Sequence, residues 1–318
     1  MAFDLERIRS QTFVRDVVYR ASVGSTNDLA LRLAGQRETR PHVGGLLVLA
    51  ERQTAGRGRG SHRWWSPAGA LTFSLLVDPA RFGLVRANWP QVSLTTAVAA
   101  CQVVAQRAPN APSGVRWPND VYLGGRKVGG VLVEVARPAA EPAIRRWRTP
   151  PANDRNALPD KLAAARADRH GWTSHAVAPR PATLRCVGEC LVVGVGLNVN
   201  NSFGAAPPDV RDVGTSLADV TGKTHDLTDV LVALLCAIEE GLCALAGIVG
   251  QPLGSAEAPP LCRRWASLNL LRDRHIELDA HGRMVRGRCV TVDRDGALVL
   301  ETPAGRERFF GGVIRAVD

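Results

Sequence analysis

The sequence predicts an α/β domain followed by a small C-terminal β-barrel. Two observations indicate this fold class. Over most of the 318 residues, apolar runs of strand length alternate with stretches of helical periodicity. From His275 onward the pattern changes to short strands, separated by turns at residues 279–282, 293–296 and 303–305. Such closely spaced turns are typical of a barrel of four or five strands.

The composition fits a protein that folds in water around a full core. Hydrophobic residues make up 45% of the chain, and no stretch approaches the roughly 18–20 apolar residues that a membrane span requires. The N-terminus carries acidic residues and has no apolar segment after a basic start, so we expect no secretory signal. The seven cysteines are scattered without a C-x-x-C pair, which indicates neither a disulfide framework nor a zinc site. We therefore expect a cytoplasmic protein without a membrane partner.

The net charge of +10 raises the question of a polyanionic partner. Of the 40 basic residues only three, Lys127, Lys161 and Lys223, are lysines, and the arginines are spread along the whole chain. Together with abundant Ala, Gly and Pro, this bias is typical of a GC-rich coding sequence. The charge alone therefore does not predict nucleic acid as the substrate.

The first polar motif lies at a predicted helix start. A strand is expected at residues 17–23, and Ser25, Thr26 and Asn27 then precede strong helix formers at residues 29–34. Hydroxyl and amide side chains cap helix N-termini, and capping alone would explain them. Polar groups at a helix N-terminus are also well placed to bind a ligand, so both interpretations stay open.

An arginine-rich loop joins two predicted strands, residues 46–50 and 70–77. In this arginine loop, residues 51–69, three glycines alternate with Arg57 and Arg59. Glycines let the backbone approach a ligand, and each guanidinium offers a planar fork of donors for phosphate or carboxylate. The loop therefore predicts a site for a small anionic ligand.

Arginine-glycine repeats also occur in disordered tails that bind nucleic acid. Here Trp64 and Trp65 follow the repeat and provide flat apolar surface, and predicted strands flank the loop on both sides. Disordered segments lack such apolar runs, so the ordered site is favoured.

A second polar turn follows the helix predicted at residues 91–107. Pro118 bars a regular central strand through residues 115–123 and leaves Asn119 and Asp120 at a turn. An Asn-Asp pair is ordinary turn chemistry. It can also place an amide and a carboxylate where a nucleotide and its Mg²⁺ would need them.

The next predicted elements surround a long insertion. A hairpin at residues 124–127 leads into a strand at residues 128–135, and a buried strand at residues 190–200 ends in two asparagines. Between these strands, residues 137–184 are dominated by Pro, Ala and Arg. We expect this segment to be a mobile insertion.

Two helices are expected after the insertion, at residues 226–246 and 261–268. Just before the first of them, the residues Gly222, Lys223 and Thr224 imitate a phosphate-binding loop. The Walker pattern needs a further glycine five residues upstream and a preceding strand, and both are missing. The segment is therefore not expected to bind phosphate.

Five motifs occur together and in order, and with them the sequence resembles the biotin protein ligases, also called biotin–acetyl-CoA-carboxylase ligases. The resemblance extends over most of the chain, and five blocks in register form a highly specific signal. The blocks are residues 25–27, 53–59, 117–120, 125–134 and 194–200.

The resemblance implies a class II synthetase-like catalytic domain in residues 1–270, with a mixed β-sheet backed by helices, and an SH3-like barrel in residues 271–318. It also implies a ligase reaction in two steps. The carboxylate of biotin attacks the α-phosphate of ATP and gives biotinyl-5′-AMP and pyrophosphate. A lysine amine of a biotin carboxyl carrier domain, from an acetyl-CoA (or other acyl-CoA) or pyruvate carboxylase, then attacks the mixed anhydride. ATP and biotin are the implied substrates, together with Mg²⁺.

The resemblance also assigns site residues. Lys127, Arg57 and Arg59 are expected to be catalytic, because their charges can stabilise the transition state of adenylation. The implied biotin-binding residues are Ser25, Thr26, Asn27, Gln53, Gly56, Arg57, Gly58, Arg59, Lys127 and Gly130. The implied nucleotide-binding residues are Arg59, Trp65, Asn119 and Asn198. Asp120 is the expected Mg²⁺ ligand.

Three features depart from the family pattern. Ser61 and His62 stand where the family commonly has Gly-Arg, and the insertion replaces a short turn. The chain has no room before Ser25 for the helix-turn-helix domain of some members, so we expect no DNA binding. We also expect a monomer or weak dimer.

Two other functions stay open. A lipoate ligase would share the fold and the acyl-adenylate chemistry, although the arginine loop and the C-terminal barrel favour biotin. A non-catalytic nucleic-acid-binding protein would explain the charge but not the ordered motifs.

Overall fold

The structure is a computed structural model that describes residues 3–35, 45–137, 189–248 and 258–318. All of these residues fall in one structural unit. The insertion predicted at residues 137–184 lies outside the described residues, apart from Arg137. The predicted domain boundary after residue 270 stays a prediction.

The described residues contain seven α-helices. Their bounds are α1 (Leu5–Gln11), α2 (Thr26–Gly35), α3 (Gln91–Arg107), α4 (Pro208–Arg211), α5 (Leu217–Thr221), α6 (Leu227–Ala246) and α7 (Pro260–Ser267). Within this part of the chain, no helix combines the length and apolarity that a membrane crossing needs.

Twelve strands are present in the same residues. The first seven are β1 (Asp16–Val23), β2 (Leu46–Gln53), β3 (Ala70–Val77), β4 (Ser113–Arg116), β5 (Asp120–Leu123), β6 (Arg126–Ala136) and β7 (Cys190–Asn198). The last five are β8 (His275–Ala280), β9 (Arg283–Val292), β10 (Leu298–Thr302), β11 (Gly305–Phe309) and β12 (Val313–Val317).

Strands β1 to β7 form one mixed sheet, in the order β1-β2-β3-β7-β6-β5-β4. β1 and β2 are parallel, and all other neighbours are antiparallel. β4 and β5 are separated by the turn at Pro118, as the sequence predicts. The predicted fold class, with a mixed sheet backed by helices, is confirmed.

Helices cover both faces of this sheet, and β7 at its centre is buried over its whole length. Successive side chains of a strand point to opposite faces. On β2, Val48 packs with Ala30 and Ala34 of α2, whereas Leu49 joins the cluster that contains Val98 of α3. Coverage of both faces explains why β3 and β7 are continuous apolar runs in the sequence.

The segment that imitates a phosphate loop ends a helix and does not begin one. Gly222 caps the C-terminus of α5 in the left-handed conformation, with φ at 66°. Backbone N–H groups bind phosphate at a helix N-terminus, whereas a C-terminus presents carbonyls. The prediction that this segment is not a phosphate loop is confirmed.

Strands β8 to β12 form an antiparallel sheet in the order β11-β10-β9-β8-β12, which agrees with the predicted four or five strands. The turn between β9 and β10 meets the larger sheet. Gln91 Nε2 donates to the Asp295 carbonyl, and Trp117 Nε1 donates to the Gly296 carbonyl, each at 3.0 Å. These bonds attach the C-terminal sheet beside the start of α3 and the end of β4.

The buried centre of the larger sheet gives a stability prediction. Val193→Ala in β7 should lower the free energy of unfolding by about 2 kcal/mol, because it removes two methyl groups from a fully buried site and leaves a cavity. Val135→Ala in the adjacent β6 is the matched control, since Val135 is 40% exposed. Urea unfolding of both variants measures the difference. Equal losses would contradict the position of β7 in the core.

Candidate functional site

A cleft of about 250 Å³ lies beside the larger sheet. The start of α2, the arginine loop, the turn at Pro118, β6, β7 and the start of β12 all contribute to its walls. Most residues that the sequence predicted for a site line this cleft. They are Ser25, Thr26, Asn27, Gln53, Arg57, Gly58, Arg59, Asn119, Asp120, Lys127 and Gly130.

The floor of the cleft is a chain of buried polar side chains at the start of α2. Gln53 Oε1 accepts from the Thr26 backbone N–H at 2.7 Å and from the Thr26 hydroxyl at 3.0 Å. The Ser74 hydroxyl lies 2.8 Å from Thr26 Oγ1 and 2.6 Å from Asn27 Oδ1, and Ser25 accepts from the Asp28 backbone N–H at 3.4 Å. Ser25 therefore caps the helix, while Thr26 and Asn27 are held by neighbouring strands.

Glu134 of β6 connects this floor to the arginine loop. Its carboxylate accepts from Arg57 Nη1 at 3.0 Å and from Arg57 Nη2 at 2.5 Å, in a bidentate ion pair. It also accepts from Asn27 Nδ2 at 2.8 Å. Hydrogen bonding to Glu134, with a further contribution from Asp28 at 2.8 Å, raises the pKa of Arg57. Arg57 is therefore a fixed cation at the edge of the cleft.

Arg59 lies deeper and has a different environment. Burial lowers its pKa, and the nearby Asp120 carboxylate opposes this effect. Within the described residues, Arg59 Nη1 donates to Asn119 Oδ1 at 3.3 Å, and Asn119 in turn donates to the Val131 carbonyl at 2.7 Å. A half-buried guanidinium held by an amide gains from an anionic partner, so Arg59 favours a negatively charged ligand.

Lys127 provides the third cation. Its Nζ lies 2.7 Å from Asp120 Oδ1, and both side chains are partly exposed in the cleft. Asp120 supplies the single carboxylate among the described residues that line the cleft. The predicted lysine and the predicted metal ligand therefore form an ion pair with each other.

The arginine loop is folded by bonds within itself. The Gly58 backbone N–H donates to the His62 carbonyl at 2.8 Å, and the Trp64 N–H donates to the Gly56 carbonyl at 3.0 Å. The Trp64 indole lies against Gly196 of β7, where an added Cβ would be 2.3 Å from a ring atom. These contacts fix the loop over the centre of the sheet.

Three predicted site residues do not line the cleft. Gly56 packs under the Trp64 backbone, where an added Cβ would lie 2.4 Å from the Trp64 carbonyl oxygen. Trp65 packs on Phe203, with ring centroids 5.5 Å apart. Asn198 is buried and accepts from Asn201 Nδ2 at 3.2 Å.

Several residues that line the cleft or support it carry no sequence-based assignment. Glu134 ends one of the five sequence motifs, but its contacts with Arg57 and Asn27 are evident only in the structure. Trp64, expected only to provide flat apolar surface, lines the cleft. No sequence signal placed residues 312–314 of the C-terminal sheet at the cleft. The other unassigned residues that line it are His62, Arg63, Thr72, Arg116, Trp117, Pro118, Val131, Leu132, Gly194, Val195 and Gly196.

The arrangement suits two anions that must be brought together. Arg57, Arg59 and Lys127 line one cleft beside a floor of neutral donors and acceptors. Cations at these positions offset the repulsion between two negative ligands and stabilise charge that develops between them. The neutral floor can hold an uncharged polar group of the same ligand through hydrogen bonds.

Comparisons with known proteins extend this description. Residues 19–143 match the Biotin/lipoate A/B protein ligase family. The Bifunctional ligase/repressor BirA of Escherichia coli (strain K12) is 31% identical over 292 residues, which are 92% of this chain and 71% of that protein. The Biotin--[acetyl-CoA-carboxylase] ligase of Mycobacterium tuberculosis is 39% identical over 126 residues, which are 39% of this chain and 45% of that protein.

Among solved structures, biotin protein ligase from Aquifex aeolicus in complex with biotin and ATP is similar to this chain. The TM-score is 0.64 at 22% identity, over 96% of this chain and 99% of that one. At this level of identity the likeness shows a shared fold.

The polar floor gives a second stability prediction. Ser74→Ala should cost about 1–3 kcal/mol of unfolding free energy, because it leaves buried oxygens of Thr26 and Asn27 without the hydroxyl that contacts them. Ser10→Ala, at an exposed position on α1, should change stability by less than about 0.5 kcal/mol. Urea unfolding midpoints of the two variants test this, and a neutral Ser74→Ala would show that the floor does not need the hydroxyl.

Proposed function

The chain belongs to the biotin/lipoate A/B protein ligase family, and from this premise we propose that it is a biotin protein ligase. It activates biotin with ATP and transfers the biotinyl group to a lysine of a carrier protein. The observation that carries the proposal is the convergence of Arg57, Arg59 and Lys127 on one cleft above a neutral polar floor. Biotin has a neutral ureido ring at one end, which matches the polar floor, and a carboxylate at the other end, which matches the cations.

We assign the floor to the neutral end of biotin. The side chains of Ser25, Thr26 and Gln53 offer both donors and acceptors there, which is what a ureido group needs. The Trp64 indole and the backbone at Gly130 border the same space and suit the apolar part of the molecule. The carboxylate would then point toward the three cations.

In the first step, an oxygen of the biotin carboxylate attacks the α-phosphorus of ATP, a P–O bond forms, and the bond to pyrophosphate breaks. Arg57 and Arg59 reduce the repulsion between the two anions, and the compact ammonium of Lys127 stabilises charge on the α-phosphate. In the second step, the neutral amine of the carrier lysine attacks the acyl carbon. AMP leaves with the electrons of the C–O bond, and the amine loses a proton.

The nucleotide would occupy the side of the cleft near the turn at Pro118. Arg59, Asn119 and Asp120 line this side and support the assignment, and the indoles of Trp64 and Trp117 line the same cleft. Trp65 and Asn198, which the sequence also assigned to the nucleotide, would act from outside the cleft. Mg²⁺ would enter with ATP, and a single carboxylate at Asp120 fits an ion that is otherwise held by phosphates and water.

We infer the protein partner from a relative. The Mycobacterium tuberculosis protein is named as a ligase of acetyl-CoA carboxylase, so the carrier domain of an acyl-CoA carboxylase is the proposed acceptor. A pyruvate carboxylase carrier would present the same lysine amine. The cytoplasm is the proposed location, since carrier domains and ATP are found there. A monomer or weak dimer without DNA binding stays a prediction.

Formation of an acyl-adenylate tests the proposed function. The purified protein is incubated with [α-³²P]ATP and Mg²⁺, together with biotin, lipoate or no acid, and labelled products are separated by chromatography. We expect an adenylate with biotin only, and biotinylation of an added acetyl-CoA carboxylase carrier domain. An adenylate with lipoate alone would indicate a lipoate ligase, and no adenylate with either acid would contradict both functions.

Lys127→Ala provides the matched site test in the same assay. It should slow biotinyl-AMP formation at least tenfold, equivalent to about 1.4 kcal/mol of transition-state stabilisation. Arg126→Ala removes the neighbouring cation, which is exposed and does not line the cleft, and should leave the rate unchanged. Equal rates in the two variants would mean that Lys127 is not the catalytic lysine.

A further inference from the structure

Lys127 lies on β6, two residues before the pairing of β6 with β7 begins at Gly129. On one side, β6 pairs with β7 from Gly129, opposite Leu197, to Ala136. β7 ends at Asn198, so its ladder does not extend to Lys127. A backbone without a neighbouring strand has unpaired N–H and C=O groups and moves more easily.

A separate segment of the chain takes the place that β7 leaves. The Lys127 backbone N–H donates to the Val213 carbonyl at 2.8 Å, and the Thr215 N–H donates to the Lys127 carbonyl at 2.9 Å. Lys127 and Gly214 thus form an isolated parallel bridge. Residues 213–215, which we call the backing segment, pair both backbone groups of the lysine.

The other side of Lys127 is irregular. In the β5–β6 pairing, Tyr122 lies opposite Lys127 and Val121 lies opposite Gly129, so Val128 is an extra residue at this point. Such a bulge bends the strand and redirects the side chains beside it. The ladder with β5 alone therefore does not fix the direction of the Lys127 side chain, and the backing segment supplies the additional constraint.

Aromatic packing holds the backing segment in turn. The Phe203 ring lies so close to Gly214 that an added Cβ would be 2.1 Å from Phe203 Cε1. The same ring packs on Trp65, and Phe203 is buried. Trp65 belongs to the arginine loop. This packing gives Trp65 and Gly214 a role, although neither residue lines the cleft.

We propose that the backing segment is a positioning element for Lys127, and that the contact between Phe203 and Gly214 sets its position. The proposal rests on the proposed function, because it assigns Lys127 to adenylation. A displacement of about 1 Å at a reacting group can cost on the order of 100-fold in rate. The effect should therefore appear in the rate of the adenylation step rather than in the affinity for biotin.

The test inserts a methyl group between Phe203 and Gly214. Gly214→Ala should slow single-turnover biotinyl-AMP formation at least tenfold, while the dissociation constant for biotin, measured by calorimetry, changes less than threefold. Gly204→Ala, directly after Phe203, is the matched control, because its new methyl would have no neighbour closer than 3.6 Å. The control should react at the wild-type rate.

Two further variants separate positioning from general damage. Phe203→Leu removes the ring atoms that the new methyl would strike, so Gly214→Ala combined with Phe203→Leu should regain the rate of Phe203→Leu alone. Phe203→Leu alone should slow biotinyl-AMP formation about threefold. If Gly214→Ala does not fold, Phe203→Leu takes its place in every comparison. In a Lys127→Ala background, Gly214→Ala should have no further effect on the rate.

The outcomes distinguish this proposal from the proposed function. If the wild-type protein makes no biotinyl-AMP, the proposed function fails. If the wild type is active and Gly214→Ala reacts equally fast, the positioning role is wrong. The same conclusion holds if Gly214→Ala slows the Lys127→Ala variant by the same factor as the wild type, because the backing segment would then act independently of Lys127.

Discussion

The cleft depends on one carboxylate. Glu134 accepts two hydrogen bonds from Arg57 and one from Asn27, and so it connects the arginine loop, the start of α2 and β6. An arginine in a glycine-rich loop would otherwise adopt many conformations, and fixing it costs side-chain entropy. The bidentate pair offsets that cost and leaves the guanidinium in a single orientation. With Arg57 and Asn27 fixed, the charged wall and the neutral floor keep a constant spacing.

The central strand makes room for this arrangement. β7 is buried over its whole length, yet it contains glycines where the cleft approaches it. An added Cβ at Gly194 would lie 2.0 Å from Asn27 Oδ1, and one at Gly196 would meet the Trp64 indole. Apolar residues elsewhere in β7, such as Val193 and Leu197, pack the core. The same strand therefore supplies the stability of the sheet and the space for the ligand.

Sequence patterns predicted the elements that carry strong periodicity, and they failed where tertiary contacts decide. β3 and α3 have the predicted bounds, because one is a continuous apolar run and the other a long stretch of helical periodicity. The seven-residue α1 was not predicted, since it is short and depends on capping by Asp4. Of two adjacent tryptophans the resemblance assigned Trp65 to the nucleotide, whereas Trp64 is the one that lines the cleft. The approach of residues 312–314 depends on how the C-terminal sheet is attached, which has no local signal.

A double-mutant cycle on biotin affinity tests the role of Glu134 most directly. Calorimetric dissociation constants for the wild type, Glu134→Gln, Arg57→Ala and the combined variant give the coupling between the two side chains. Glu134→Gln keeps the shape of the side chain and removes the charge that orients Arg57, so it should weaken biotin binding. In the Arg57→Ala background, the same substitution should cost much less biotin affinity. A coupling of about 0.5–3 kcal/mol is expected for residues in direct contact. Additive losses, or biotin binding that is unchanged in Glu134→Gln, would contradict the account.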